Sequence, residues 1–234
     1  RRAAHDPLSV ARWTTPEKKV TWHGPRSTWH PEDLDALMAQ HESWLKGYQG
    51  PVWAQRYRDV MSRVRQAEQP LGSNKLSLAV ARSLFRLMAV KDEYEVARLL
   101  TSPEFMSQVD GMFEGNWRLT FHLAPPFLTP DGERPHKHEW GAGSVWLLKA
   151  MACMRHVRGT WLDPLRWTKE HRDNRALLSH YLNQIEHVLS VLNKGNVAWA
   201  CQMAAVPDMI RGYGVVRADS AKKALEAWRA LRAQ

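Results

Sequence analysis

The sequence predicts a mainly α fold: a helical, bundle-like domain with one short β-strand or hairpin and an extended N-terminal strap. Three observations carry this expectation. Apolar residues recur at three- and four-residue spacing over most of residues 31–234, the period of amphipathic helices. Only NWRLTFHL at 116–123 alternates with a period of two, as a half-buried strand does. Prolines at 7, 16, 25 and 31 interrupt any helix near the start of the chain.

Residues 1–30 therefore read as an extended linker from a preceding domain, and 31–234 as a single helical C-terminal domain. Trp13, Trp22 and Trp29 distinguish the linker from a free tail, which is poor in aromatics. They suggest a strap laid on a neighbouring domain or subunit. Beyond it, Leu34, Leu37, Met38, His41, Trp44, Leu45 and Tyr48 line one face of a first helix. Gly50-Pro51 separates it from a second, Val52 to about Gln69, whose inner face carries Trp53, Tyr57, Val60, Met61 and Val64. The opposite face holds Arg56, Arg58, Arg63 and Arg65, either a solvated surface or a docking one.

The stretch 76–100 is the natural centre of the domain. Leu76, Val80, Leu84, Leu87 and Met88 form one apolar row, with Ser73 or Asn74 as candidate cap. A charged interval, Lys91-Asp92-Glu93-Tyr94-Glu95, separates it from a second apolar set that stops at Pro103. A short helix from Glu104 to Phe113 precedes the strand, for which GYGVV at 212–216 is the best internal partner. Gly141 to about Val157 is apolar nearly all round, as in a bundle centre or a subunit interface. The longest helix runs from Trp167 to about Leu192; a short one ends at Ala205, and Ser220 caps a last one.

Composition narrows the function. The formal charge is +9 and the pI about 9.8, but the 33 Lys and Arg are dispersed along the chain, the pattern of a solvated surface. No apolar run approaches the ~18 residues of a membrane span, and no signal peptide opens the chain. It opens on Arg1, which reads as a segment of a longer polypeptide. Cys153 and Cys201 stand in apolar surroundings and read as buried small side chains of a cytoplasmic protein. Two cysteines cannot hold a four-cysteine iron–sulfur cluster. Neither GxGxxG nor GxxxxGK[ST] occurs, so no cofactor site is expected within this chain.

The polar candidates are few. His122 is on the polar side of the strand, just before Ala124-Pro125-Pro126, where it could titrate near neutral pH or hydrogen-bond the turn. Arg211-Gly212-Tyr213-Gly214 could offer Arg211, Tyr213 and backbone amides to an anion, or form an ordinary tight turn. The run Lys91-Asp92-Glu93-Tyr94-Glu95 could serve as an acid/base set, with Lys91 and Glu93 as its candidates for facing a ligand, or as solvated or paired charges on a helix. His136, His138 and Glu139 share a proline- and glycine-rich loop without the rigid multi-ligand arrangement that zinc needs, so no metal site is expected.

The wording of several stretches goes further than their period. LAVARSLFRLMAVKDEYEVARL at 78–99, FHLAPPFL at 121–128, LDPLRWTKEHRDNRALLSHY at 162–181 and PDMIRGYGVVRADS at 207–220, with AAHDP near the start, resemble the C-terminal region of indolepyruvate ferredoxin oxidoreductases and their fused relatives. That resemblance implies a structural and interaction module of a thiamine-diphosphate-dependent enzyme, packing on catalytic domains that oxidatively decarboxylate an aryl 2-oxoacid to an acyl-CoA. It implies thiamine diphosphate and iron–sulfur clusters in the rest of the enzyme. The partners it implies are the catalytic domains or subunits, with acidic ferredoxin as a further candidate. The alternative suggested by charge alone is a basic helical nucleic-acid-binding domain, for which no reader motif is present.

Overall fold

The computed structural model describes residues 33–112, 119–123, 138–212 and 214–233. The expected strap, residues 116–118 of the expected strand, His136 and Tyr213 lie outside them. Within the described residues the domain is mainly helical.

Helix α1 (Leu34–Tyr48) starts where Asp33 accepts hydrogen bonds from the amides of Asp35 and Ala36, both at 3.1 Å. Of the face read from its period it buries Leu34, Leu37, Met38, His41, Leu45 and Tyr48, with Trp44 half-buried. Helix α2 (Pro51–Glu68) follows through Gly50, whose φ of 123° favours glycine. Its Ala54, Tyr57, Val60, Met61 and Val64 face inward. Helix α3 (Lys75–Met88) packs against α1 and α2, and its buried row is the expected Leu76, Val80, Leu84, Leu87 and Met88. His41 lies at this junction, stacked on Phe85 with ring centroids 3.9 Å apart and 2.9 Å from the Tyr57 hydroxyl. Burial, with Arg82 nearby, lowers its pKa to about 4, so the ring is neutral there.

The cap of α3 differs from expectation. Asn74 makes no side-chain cap, and Ser73 accepts only from the Lys75 amide at 3.2 Å. The next amides are taken by the buried Glu68 from the end of α2. Its carboxylate accepts from Leu76 N at 2.8 Å, and from Ser77 N and Ser77 Oγ at 2.7 and 2.6 Å. A full negative charge at a helix N-terminus gains from both the amides and the helix dipole.

After a break at 89–92, α4 (Glu93–Leu100) and α5 (Pro103–Asp110) are capped by Asp92 and Ser102. Strand β1 (Phe121–Leu123) pairs antiparallel with β2 (His138–Trp140), Phe121 opposite Trp140. The expected partner at 212–216 is not extended, because the last helix begins at Gly214. Gly212 turns the chain into it with φ of 78°, and a Cβ there would lie 2.7 Å from Val216 Cγ1.

Helix α6 (Val145–Cys153), continued by a 3₁₀ turn at Met154–Val157, is not central among the described residues. It packs on α4 through Leu148 and Ala152, joining Ala97 and Phe121 in a small second core. Its other side leaves Trp146 71% exposed, and Cys153 is exposed rather than buried. An apolar helix packed on one short neighbour has only one face to cover. Cys201 is half-buried, and burial pushes its thiol pKa up.

Helix α7 (Lys169–Val191) starts at the Thr168 cap and buries Leu177, Leu178, Tyr181, Ile185 and Val188. Helix α8 (Val197–Ala205) packs on α3 and α7, and α9 (Gly214–Arg232) closes over α8 and the turn Val206–Met209. Trp228 is only 1% exposed and donates through its indole to the Met203 carbonyl at 2.9 Å. Ser220 is not a cap. It lies within α9, and its hydroxyl accepts from Arg211 N at 3.1 Å.

The arginines of α2 are mostly tied to other helices. Arg58 pairs with Glu42 at 3.4 Å, Arg65 with Asp35 at 2.6 Å, and Arg63 with Glu186 of α7. These pairs are exposed or half-exposed and worth little individually.

The Glu68 cap has a measurable consequence. Glu68→Ala should lower unfolding free energy in urea by about 2–3 kcal/mol, because it orphans buried amides. Ser73→Ala should change it by less than about 0.5 kcal/mol.

Candidate functional site

The break between α3 and α4 and the turn after α6 meet in a knot of buried polar groups. Asp92 caps α4 through Oδ1, which accepts from Glu95 N at 2.9 Å. The same carboxylate receives Arg158 in a two-pronged pair, Nε to Oδ2 at 2.7 Å and Nη2 to Oδ1 at 2.8 Å. Arg158 Nη1 donates to the Tyr48 carbonyl at the end of α1 at 2.7 Å, and the guanidinium lies 3.7 Å from the Tyr48 ring centroid. The Tyr48 hydroxyl donates to the Val90 carbonyl at 3.0 Å. Both ion-pair partners are buried.

A second carboxylate completes the knot. Asp163 accepts from the Tyr94 hydroxyl at 2.7 Å, from Gly159 N at 2.6 Å and from Leu165 N at 2.9 Å. Burial works against its charge, but these donors outweigh it and hold the carboxyl pKa below the usual range. Burial, and then the bond to Asp163, push the Tyr94 phenol pKa up. From α7, His171 Nε2 lies 3.2 Å from Glu93 Oε2. Burial disfavours the charged ring, yet the hydrogen bond and charge of Glu93, with Asp92 and Asp163 farther out, hold its pKa above the ordinary imidazole value. Arg217 of α9 donates to Asn174 Oδ1 of α7 at 2.9 Å.

Beside the knot opens a cleft of about 370 Å³. Trp53 and Arg56 line it from α2, Met88 and Val90 from the end of α3, and Asn174, Arg175, Leu178 and Ser179 from α7. Asp92, Arg158 and His171 reach its wall. The Trp53 indole donates to the Met88 carbonyl at 3.1 Å, which fixes the ring across that wall.

Of the run singled out by sequence, Asp92, Glu93 and Tyr94 take part in the knot, as structural groups. Lys91 is exposed just before the Asp92 cap. Glu95 accepts from Arg98, whose Nη2 and Nε donate at 2.7 and 2.8 Å. Arg211 is exposed, its backbone amide bound by Ser220, and it does not line the cleft. Tyr213 and the side chain of His122 lie outside the described residues. Sequence reading missed Arg158, Asp163 and His171. Asp92-x-x-Glu95 is a helix-start spacing close to a capping box, and Asp163-Pro164 after Gly159 is a turn signal. Neither discloses that the two turns meet. Among the described residues no group of three or more His, Cys, Asp or Glu side chains is placed to hold a metal ion. No described helix is long and apolar enough to cross a membrane.

The arrangement defines a mainly α-helical domain whose buried charges cross-link segments far apart in sequence. Residues 34–230 match a family described as a family of unknown function, DUF6537, and the chain belongs to that family. No curated protein and no solved structure matches it.

Two outcomes test the knot. Asp92→Asn or Arg158→Met should each cost about 3–5 kcal/mol by leaving a buried partner unpaired. The double variant should cost less than their sum, by about 1–3 kcal/mol in a denaturation cycle. Separately, a raised His171 pKa means that its pair with Glu93 stabilises fully below the unfolded imidazole value of about 6.5, as long as Glu93 stays ionised. That contribution is lost as pH rises through the raised value. The Tm advantage of wild type over Glu93→Gln should therefore be largest just below the unfolded imidazole value of about 6.5 and shrink as the pH is raised past the folded-state value.

Proposed function

We propose that this domain is the helical structural and interaction module of a thiamine-diphosphate-dependent 2-oxoacid:ferredoxin oxidoreductase of the indolepyruvate type, working in the cytoplasm. In this reading it packs on the catalytic domains or subunits that convert an aryl 2-oxoacid to an acyl-CoA. Thiamine diphosphate and the iron–sulfur clusters belong to those parts. The chain's two cysteines cannot supply four cluster ligands.

The observation that carries the reading is the convergence of three stretches that resemble that enzyme. KDEYE at 91–95, LDPLRWTKEHRDN at 162–174 and GYGVVR at 212–217 are joined through Tyr94–Asp163, Glu93–His171 and Asn174–Arg217. Their polar side chains hold the domain together, as expected of a module whose task is shape. The middle stretch also turns Trp161, Leu162 and Trp167 outward, with the two tryptophans 80% and 68% exposed. Exposed aromatics beside a rigid turn suit a protein contact. The basic surface suits acidic ferredoxin as a further partner. Pairing of Arg58, Arg63 and Arg65 with carboxylates of α1 and α7 takes much of the arginine face of α2 away from the nucleic-acid alternative.

Affinity capture of the chain from its native extract should recover a brown, thiamine-containing partner. A Trp161→Glu, Trp167→Glu variant with unchanged helical circular dichroism should recover at least about tenfold less, since an interfacial tryptophan commonly carries 2 kcal/mol or more. A colourless chain that co-purifies with nothing would overturn the assignment.

A further inference from the structure

We infer that the cleft between α2, the end of α3 and α7 is a binding site for a small organic anion, a flat apolar body carrying one carboxylate or phosphate. This stands independently of the partner reading above. The volume, about 370 Å³, falls at the small end of ligand pockets, which run from about 300 to 1,000 Å³.

The wall has two chemical halves. Trp53, Leu87, Met88 and Leu178 form the apolar one. The Trp53 ring is tethered by its indole bond to Met88, so a flat ligand would meet a surface already in place. The other half is cationic. Asp92 is the single carboxylate among the lining residues, and Arg158 engages both its oxygens. Arg56 and Arg175 are left over. Arg56 lies against Trp53, its guanidinium 5.3 Å from the ring centroid, and makes no ion pair with a described carboxylate. It is the member of the α2 arginine row that faces a cavity instead of a neighbouring helix's acid. Arg175 is turned by one bond, Nη2 to the Arg166 carbonyl at 2.8 Å, which leaves the rest of its fork for a ligand.

Helix geometry adds neutral donors at the same place. Asn174, Arg175, Leu178 and Ser179 stand one and four positions apart, so one face of α7 presents them together. Asn174 Oδ1 is occupied by Arg217, which orients its amide NH₂ away from that bond and leaves it as a donor. An anionic head group would thus meet two guanidinium groups, an amide and the Ser179 hydroxyl, while its body lies on Trp53. Carboxylate and phosphate share this chemistry, and the wall does not favour one by geometry alone.

The test uses 1-naphthyl phosphate, 1-naphthoate and neutral 1-naphthol, titrated into the ¹⁵N-labelled chain. The readout is the indole N–H resonance of Trp53, assigned with Trp53→Phe. The proposal expects at least one anion to shift that resonance with saturation and to bind at least about tenfold tighter than the naphthol, as a charge-assisted contact would give. The tighter anion names the head group. Arg56→Gln with Arg175→Gln should weaken it at least about tenfold, whereas Arg211→Gln, an exposed charge away from the cleft, should leave it unchanged. Ser179→Tyr, an exposed position on the cleft wall, should block binding by filling space and gives an answer even if the arginine pair proves needed for folding. Equal affinity for the naphthol, no saturable shift at Trp53, or full binding by a folded Ser179→Tyr protein would each overturn the proposal.

Discussion

The pair formed by Asp92 and Arg158 is the constraint on which the middle of this domain depends. It joins the N-terminus of α4 to the turn after α6, and through the Tyr48 carbonyl to the C-terminus of α1. Burying two ions is expensive, and Coulomb attraction alone seldom repays it. Here the cost is offset by further contacts: a cap bond on Asp92, a carbonyl and an aromatic face on Arg158. What the pair confers is uniqueness of arrangement. A shifted α4 would leave both charges unmatched, so the break at 89–92 has one acceptable position, and the cleft wall inherits it.

The domain thereby divides into two regimes of cohesion. Around α1, α2, α3, α7, α8 and α9, apolar side chains fill the interior and polar groups act as caps and tethers, as with Glu68 and the Trp228 indole. Around α4, α6 and the turn at 158–167, the apolar core is small, and hydrogen-bonded charges do much of the joining. The cleft lies where the two regimes meet. One wall is helix packing and the other is salt bridge.

Much of the first regime was legible in the sequence, because a period of 3.6 residues states which face is buried. The inner rows of α1, α2, α3 and α7 largely follow from it, although Trp44 and Trp53 are only half-buried and Trp53 lines the cleft. The sequence is silent where the deciding contact spans the chain. Glu68 caps α3 across a turn, and nothing local distinguishes it from a solvated glutamate. Val145–Cys153 is apolar enough for a core, yet period alone cannot count its neighbours, and one face remains open. The stretch 212–216 reads as a partner for β1 by its apolar residues, yet Gly212 and Gly214 within it are turn signals, and the last helix begins there. In the knot, Asp92 and Arg158 are separated by 66 positions and Arg158 from Tyr48 by 110. Each looks locally like an ordinary surface charge. Glu93 stands out in the sequence because it sits in a charged cluster, whereas its partner His171 does not, since a lone histidine near a helix start carries no signal of what faces it.

The uneven cohesion has a thermal consequence. Ions lose hydration free energy as temperature rises, so burying them becomes less costly on warming. Apolar burial weakens on cooling. The knot and the large core therefore lean in opposite directions across the temperature range. Cold loosens the helices first at their apolar contacts, while the carboxylate–guanidinium joint that fixes α4 beside the end of α1 is the part of the molecule least penalised by heat.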